Sequence, residues 1–153
     1  MSILTFVMFT VWGFVKSFMN RPAGDYETEV CDIRLKDKKY DQALEAANEA
    51  LDKTPNHRGA MMCKALVFIS QKKYIEADLV LSNLIIFLQK NLEEDDKTGI
   101  GTLAAAYANR GIIKDRNKNY VGALEDYIKA LGIDHEAVAG PGLGTIILNY
   151  KFK

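Results

Sequence analysis

Apolar residues recur at steps of three and four along most of the chain, which is the spacing of helices that bury one face. Polar and turn-forming residues interrupt this pattern five times between residues 25 and 132, so the pattern predicts six helices. Their approximate bounds are 25–37, 41–53, 57–71, 75–92, 99–117 and 121–132. The fourth helix is expected to be unusually long. The chain is therefore predicted to be all-α.

The predicted helices form pairs that repeat along the chain. Tyr40 and Tyr74 lie 34 residues apart, and so do Ala43 and Ala77. Tyr120 follows Tyr74 by 46 residues, which is one such period with 12 residues inserted. The inserted residues fall in a polar, glycine-bearing stretch between two helices. One unit of two helices is thus present three times.

A period of 34 residues with paired helices is typical of tetratricopeptide repeats, and the chain resembles that family. The repeats are 24–57, 58–91 and 104–137, within a domain of residues 21–137 that has an inserted loop at 92–103. In the family, small residues let the two helices of a repeat approach each other closely. The third repeat has Gly111 and Ala123 at such positions, beside the aromatic Tyr120. The resemblance implies a right-handed solenoid of three helix-turn-helix repeats.

The resemblance also implies that partners bind in a concave groove lined by the first helix of each repeat. In this chain the groove positions are apolar in the middle and charged toward the ends. The predicted partner-binding residues are Asp25, Asp32, Leu35, Met62, Leu66, Ile69, Ile112, Asp115 and Arg116. Such a surface suits an amphipathic helix or an apolar extended segment of a protein partner. The alternative is that some of these residues only pack against the long fourth helix.

One branch of the family binds the C-terminal tails of heat-shock proteins 70 and 90 through Lys, Arg and Asn at five groove positions. This chain has Thr28, Asp32, Cys63, Ala105 and Asn109 at those positions. None of these side chains is a cation that could hold a terminal carboxylate. The sequence therefore predicts that the partner is not a heat-shock protein tail.

Residues 1–20 break the repeat pattern with an apolar run from Ile3 to Met19. A helix of this length spans ~26 Å, close to the ~30 Å hydrocarbon core of a bilayer, which predicts a transmembrane helix. Its predicted membrane residues are Ile3, Phe6, Val7, Phe9, Trp12, Phe14 and Val15. Lys16 lies near the end of the run and Arg21 follows it, which places the repeats in the cytoplasm of a single-pass membrane protein, with a bacterial inner membrane favoured. A buried helix and a cleaved signal peptide are the alternatives.

Residues 138–153 follow the third repeat and contain Gly140, Pro141 and Gly142, which interrupt a continuous helix. The apolar stretch after them could cover the last helix pair. We expect a C-terminal capping helix there. A fourth repeat that is cut short is the alternative.

Composition and side-chain chemistry narrow the function classes. The 153 residues include 20 basic and 20 acidic ones, and a net charge of zero argues against nucleic acid as a partner. His57 and His135 fall near repeat boundaries, without further ligands or catalytic partners at suitable spacing. We therefore expect no enzymatic activity, no metal site and no cofactor.

The two cysteines, Cys31 and Cys63, lie in the first helices of successive repeats. The favoured interpretation is that both are small buried core residues, which the cytoplasm would keep reduced. A disulfide or redox pair is the alternative.

These features together predict a non-enzymatic, membrane-tethered adaptor. It would hold a helical or extended segment of a partner in its groove and help to recruit or assemble proteins at the membrane. Membrane proteins are the expected partners, and the lipid bilayer is contacted through the N-terminal helix. The alternative is a constitutive structural subunit of a larger membrane protein complex.

Overall fold

The computed structural model describes residues 7, 8, 12 and 21–134. Six α-helices account for most of residues 21–134, and no β-strand occurs within that range. The helices are α1 (Asp25–Lys36), α2 (Tyr40–Lys53), α3 (Arg58–Ser70), α4 (Tyr74–Asn91), α5 (Lys97–Arg116) and α6 (Tyr120–Ile133). Every helix begins and ends within two residues of its predicted bounds. The all-α prediction is confirmed.

Consecutive helices pack as the pairs α1–α2, α3–α4 and α5–α6. The second helix of each pair also contacts the first helix of the next pair, as α2 does with α3 and α4 with α5. In addition, α3 contacts both α1 and α5, so the three first helices lie side by side. This stacking places the three first helices, which carry the predicted groove positions, next to one another.

The turn inside each helix pair has the same backbone geometry in all three repeats. Its central residue is a lysine in the left-handed conformation, with φ of 60° or 61°, at Lys38, Lys72 and Lys118. In each case the next amide donates back across the turn, as the Lys73 amide does to the Phe68 carbonyl at 2.8 Å. This pattern satisfies the last carbonyls of the first helix and stops it at a fixed residue. The lysines at these turns therefore have a structural role.

The hydrophobic core is divided into two clusters of different composition. The cluster formed by the second and third repeats contains large side chains, including Leu81, Leu84 and Tyr107. The cluster between the first repeat and α3 consists of Cys31, Ala43, Ala46, Ala47, Cys63 and Val67. Small side chains bury less apolar area, so the first repeat gains less free energy from burial than the other two.

A close helix contact occurs inside the third repeat, where α5 crosses α6. Tyr127 is fully buried against Gly111, and a Cβ atom at Gly111 would lie only 2.6 Å from Cε1 of the Tyr127 ring. Ala65 occupies the corresponding place in the second repeat and is also fully buried. The small residues that identify the repeat in the sequence are therefore the ones that let the helices touch.

The stretch inserted between the second and third repeats, residues 92–103, lengthens α5 more than it lengthens a loop, and α4 before it is also long. α4 has 18 residues and α5 has 20, whereas α2 and α6 have 14 each. Only residues 92–96 connect α4 to α5, and residues 97–103 form the first turns of α5. Asp96 caps α5 by accepting a hydrogen bond from the Gly99 amide at 2.8 Å, and its carboxylate also pairs with Arg58. Both helices are thus extended at the end where they meet.

A buried charge network ties α5 to its neighbours on both sides. Asp126 of α6 is 1% exposed, and Arg110 of α5 donates two hydrogen bonds of 2.8 Å to its two carboxylate oxygens. Lys114 contributes a third contact of 2.8 Å, and Arg110 also donates to Ser82 of α4 at 3.1 Å. Burial alone would raise the pKa of Asp126, but the hydrogen bonds from Arg110 and Lys114 outweigh it and hold this pKa below its usual range.

A disulfide bond joins Cys31 of α1 to Cys63 of α3, with the Cα atoms 6.4 Å apart. The two cysteines are 0% and 1% exposed, so the predicted burial is correct. The preference for reduced thiols was wrong, and the alternative of a disulfide is what the structure contains. The two residues are 32 positions apart, close to one period, on first helices that lie side by side. A separation of the two cysteines close to the 34-residue period is the feature of the sequence that could have predicted the bond.

The predicted single-pass membrane topology is wrong for the part of the chain that the structure describes. No helix there is both long enough and apolar enough to cross a bilayer. The two longest, α4 and α5, carry charged side chains in their first and last turns, and these are costly to place in lipid. Of the predicted membrane residues, Val7 and Trp12 are helical and are 52% and 69% exposed. The others, Ile3, Phe6, Phe9, Phe14 and Val15, lie outside the described residues, as do the predicted cap and alternative fourth repeat within 138–153.

Candidate functional site

The groove is the side of the molecule on which α1, α3 and α5 lie next to one another. One end of it is a cavity of about 560 Å³ at the first turns of these three helices. The lining includes Asp25 and Thr28 from α1, Gly59 from α3, and Thr98 and Thr102 from α5. Because Thr98 and Thr102 belong to the inserted stretch, the extension of α5 lengthens the third wall of the groove.

His57 organises the groove end where α1 meets α3. Its Nδ1 accepts the Ala60 amide at 3.2 Å, which caps α3. Nε2 must then carry the proton, and it donates to the Asp25 carboxylate at 2.8 Å. Thr28 lies 3.3 Å from Nδ1, and a Cβ at Gly59 would be 3.0 Å from the Thr28 methyl group. This histidine therefore has a structural role, and Asp25 lines the groove end as the acceptor of its hydrogen bond.

The middle of the groove is apolar. Met62, Leu66 and Ile69 from α3 and Ile112 from α5 are all half-buried. The Asn109 amide lies 3.9 Å from the Met62 sulfur, so the walls formed by α3 and α5 touch at this level. Met62 and Ile69 also pack against the larger core cluster, whereas Leu66 and Ile112 are not among the residues packed against it. Met62 and Ile69 therefore also serve the packing of the domain, as the alternative interpretation expects, whereas this is not shown for Leu66 and Ile112.

The residues predicted at the ends of the groove differ in their exposure and in their contacts. Asp32 is exposed on α1, where desolvation raises its pKa, assisted by Glu29 and opposed by Lys36. Leu35 is half-buried against the core of the first repeat. Asp115 is half-buried, and Arg116 is exposed, stacked over the Tyr74 ring at 5.6 Å from its centroid.

Other residue types occupy the five positions through which one branch of the family binds acidic heat-shock protein tails. Cys63 is consumed by the disulfide, and Asp32 is an acid. Thr28 donates to the Gly24 carbonyl at 2.8 Å, and Asn109 donates to the Ala105 carbonyl at 2.9 Å. These positions hold structural interactions and one negative charge.

Among the side chains that the structure describes, no group of three or more His, Cys, Asp or Glu residues is placed to hold a metal ion.

Three stacked helix pairs with a groove along their first helices are typical of helical-repeat proteins. The chain has the tetratricopeptide-repeat fold, as its repeat pattern predicts. Solved structures share this fold at low sequence identity. The tetratricopeptide domain of Arabidopsis OM64 superimposes with a TM-score of 0.68 at 16% identity, over 84% of this chain and 94% of that one. The first such domain of Spaghetti (RPAP3), bound to the HSP90 peptide SRMEEVD, gives 0.65 at 18% identity over 84% and 94%.

The N-terminal domain of stress-induced protein-1 from C. elegans also superimposes, with a TM-score of 0.65 at 17% identity, over 81% of this chain and 94% of that one. Among curated proteins, RNA polymerase II-associated protein 3 from Xenopus laevis is 33% identical over 100 residues, which is 65% of this chain and 13% of that protein. The chain thus corresponds to a small part of that relative. No protein-family profile matches the sequence.

Proposed function

We propose that this chain is a non-enzymatic adaptor that binds a helical or extended segment of a partner protein in the groove. The observation that carries the proposal is the half-exposed apolar strip of Met62, Leu66, Ile69 and Ile112 in the middle of the groove, with charged side chains toward the groove ends. Each large apolar side chain that a partner fully desolvates contributes ~1.5–3 kcal/mol. Two or three such contacts suffice for micromolar affinity after the costs of association.

The charges on the α1 wall indicate which partner segments fit. Asp25 and Glu29 line the cavity at the groove end, and Asp32 follows them at helical spacing on α1. A cationic side chain placed opposite Asp32 would relieve the unfavourable environment that raises the pKa of this carboxyl. We therefore propose a partner segment with apolar residues along one face and a Lys or Arg directed at α1. The charges would set orientation more than they add affinity.

The sequence and the similar structures lead to opposite expectations about the binding of heat-shock protein tails. The similar domain of Spaghetti was solved with the peptide SRMEEVD, which points toward such a ligand. In this chain, however, the family's tail-binding positions offer no Lys or Arg, and Asp32 would repel the acidic end of the peptide. We propose that the groove selects against acidic tails. In a fluorescence-anisotropy titration, labelled SRMEEVD should not saturate below about 1 mM, and micromolar binding would contradict this proposal.

A second candidate is a constitutive subunit of a larger protein complex. Large apolar side chains on the outer helices are exposed, namely Ile75 (84%), Leu79 (61%) and Ile86 (63%) on α4 and Val121 (73%) and Ile128 (58%) on α6. Exposed apolar patches mark interaction surfaces or aggregation-prone ones. An adaptor should be monodisperse when purified alone, whereas an obligate subunit should associate or precipitate.

Leu66→Glu tests the groove directly, because it places a charge on the apolar strip at a partly exposed position. Partner proteins that co-purify with the wild-type chain should be lost, with affinity lowered at least about tenfold. Leu79→Glu makes the same chemical change on the outer face and should leave binding unchanged. Melting temperatures of both variants should stay near the wild-type value. If Leu66→Glu folds and keeps every partner, the groove is not the binding surface.

A further inference from the structure

The disulfide lies directly behind the groove. Cys31 precedes Asp32 on the α1 wall, and Cys63 follows Met62 on the α3 wall. The bond therefore joins the backbones of two groove walls one residue away from side chains that face a partner. The polar contacts between α1 and α3 described above involve His57, at the first turns of the two helices. The disulfide is the covalent link at the middle of the two walls.

The fully buried side chains around this bond are small. Apart from the two cysteines, the buried residues of the cluster are three alanines and Val67, and Val30, Leu35, Tyr40 and Leu44 pack against them while staying partly exposed. In the second and third repeats the buried residues include leucines, isoleucines, a methionine and a tyrosine as well as alanines. Because the fully buried side chains around the two cysteines are so small, the crosslink makes a large contribution to holding α1 beside α3.

We infer that the Cys31–Cys63 pair is a redox-controlled lock that fixes the first wall of the groove against the second. In the oxidised form α1 is held beside α3 and the groove is complete. In the reduced form the first repeat opens locally, while the second and third repeats keep their own larger core. The inference concerns control of the proposed binding groove and so rests on the proposed function for its consequence, although the lock itself can be measured without a partner.

Formation of the bond is a thiol–disulfide exchange that requires a disulfide acceptor such as glutathione disulfide. One cysteine thiolate attacks an acceptor sulfur, forming a mixed disulfide and releasing one acceptor thiol. The second cysteine thiolate then displaces the other acceptor thiol, which closes the Cys31–Cys63 bond. The protein loses two electrons and two protons, and the acceptor gains them as two thiols. Because both sulfurs are buried, the exchange takes place when α1 opens away from α3.

The test is hydrogen exchange of the full 153-residue chain, measured by mass spectrometry before and after dithiothreitol. Reduction should accelerate exchange in residues 25–53 at least about tenfold and leave residues 97–133 unchanged as an internal control. The double variant Cys31→Ser/Cys63→Ser should behave as the reduced chain does. If the double variant does not fold, the reduced wild-type chain alone decides the question.

Three results would overturn the lock. Alkylation of both cysteines in the purified chain without reductant would mean that the bond is absent. Unchanged exchange after reduction would mean that packing alone holds the first repeat. Equal acceleration in residues 25–53 and 97–133 would mean that the bond stabilises the whole domain and controls no local opening. Leu66→Glu should leave the exchange response to reductant intact, so failure of the groove proposal and failure of the lock are distinguishable.

Discussion

Replacing Asp126 by alanine should lower the free energy of unfolding by about 3–5 kcal/mol, because it leaves the half-buried charges of Arg110 and Lys114 without their carboxylate. Arg110 is held by two hydrogen bonds to this side chain and carries the link from α5 to Ser82 of α4. Urea denaturation at pH 7, followed by circular dichroism, measures the change. Glu125→Gln removes an exposed carboxylate one residue away and should change stability by less than about 0.5 kcal/mol.

The same network predicts a pH dependence with a definite sign. The pKa of Asp126 is lowered in the folded protein, so its charged form stabilises the fold at every pH above the ordinary aspartate value near 4. That stabilisation should disappear progressively as the pH falls from about 4 toward the lowered pKa. The stability difference between the wild-type chain and Asp126→Asn should therefore be constant from pH 5 to 7 and shrink below about pH 4. A difference that grows on acidification would contradict this account.

Substitution of Gly111 should be costly because its hydrogen atom faces the Tyr127 ring. Gly111→Leu is expected to destabilise the domain by ~3 kcal/mol, at the upper end for overpacking, because even its Cβ would lie 2.6 Å from that ring. Gly111→Ala isolates the Cβ itself and should also destabilise. Gly132 of α6 has no heavy atom within 4 Å of an added Cβ, so Gly132→Ala should stabilise by ~0.5–1 kcal/mol through helix propensity. Opposite signs for the two alanine variants are the result to look for in thermal melts.

The helices were predictable because the residues that form them also carry the repeat. Tyr40, Tyr74 and Tyr120 each begin the second helix of a pair, directly after a turn with the same left-handed lysine geometry. The start of α5 was harder to predict from the sequence. Gly99 and Gly101 both lower helix propensity, yet α5 begins at Lys97. Gly99 is tolerated there because Leu92 and Arg58 leave no room for a side chain, a contact that the sequence alone does not reveal.

The charge network was missed, although the sequence contains a signal for it. Arg110 and Asp126 lie eight residues on either side of Lys118, so a tight turn at that lysine places them opposite each other on antiparallel helices. Lys114 lies one helical turn after Arg110 and reaches the same carboxylate. Ion pairs of this kind can be predicted once the centre of the turn is known. The exposure of Leu66 could not be predicted, because it depends on how the neighbouring helices pack.

Photo-crosslinking from position 66 is the most direct measurement of whether partners bind in the groove. The chain carries p-benzoylphenylalanine in place of Leu66 in one sample and in place of Leu79 in the other, and each is irradiated with its partners present. The account predicts covalent partner adducts from position 66 and none from position 79. Adducts from position 79 with none from position 66 would place the binding surface on the outer helices and contradict it.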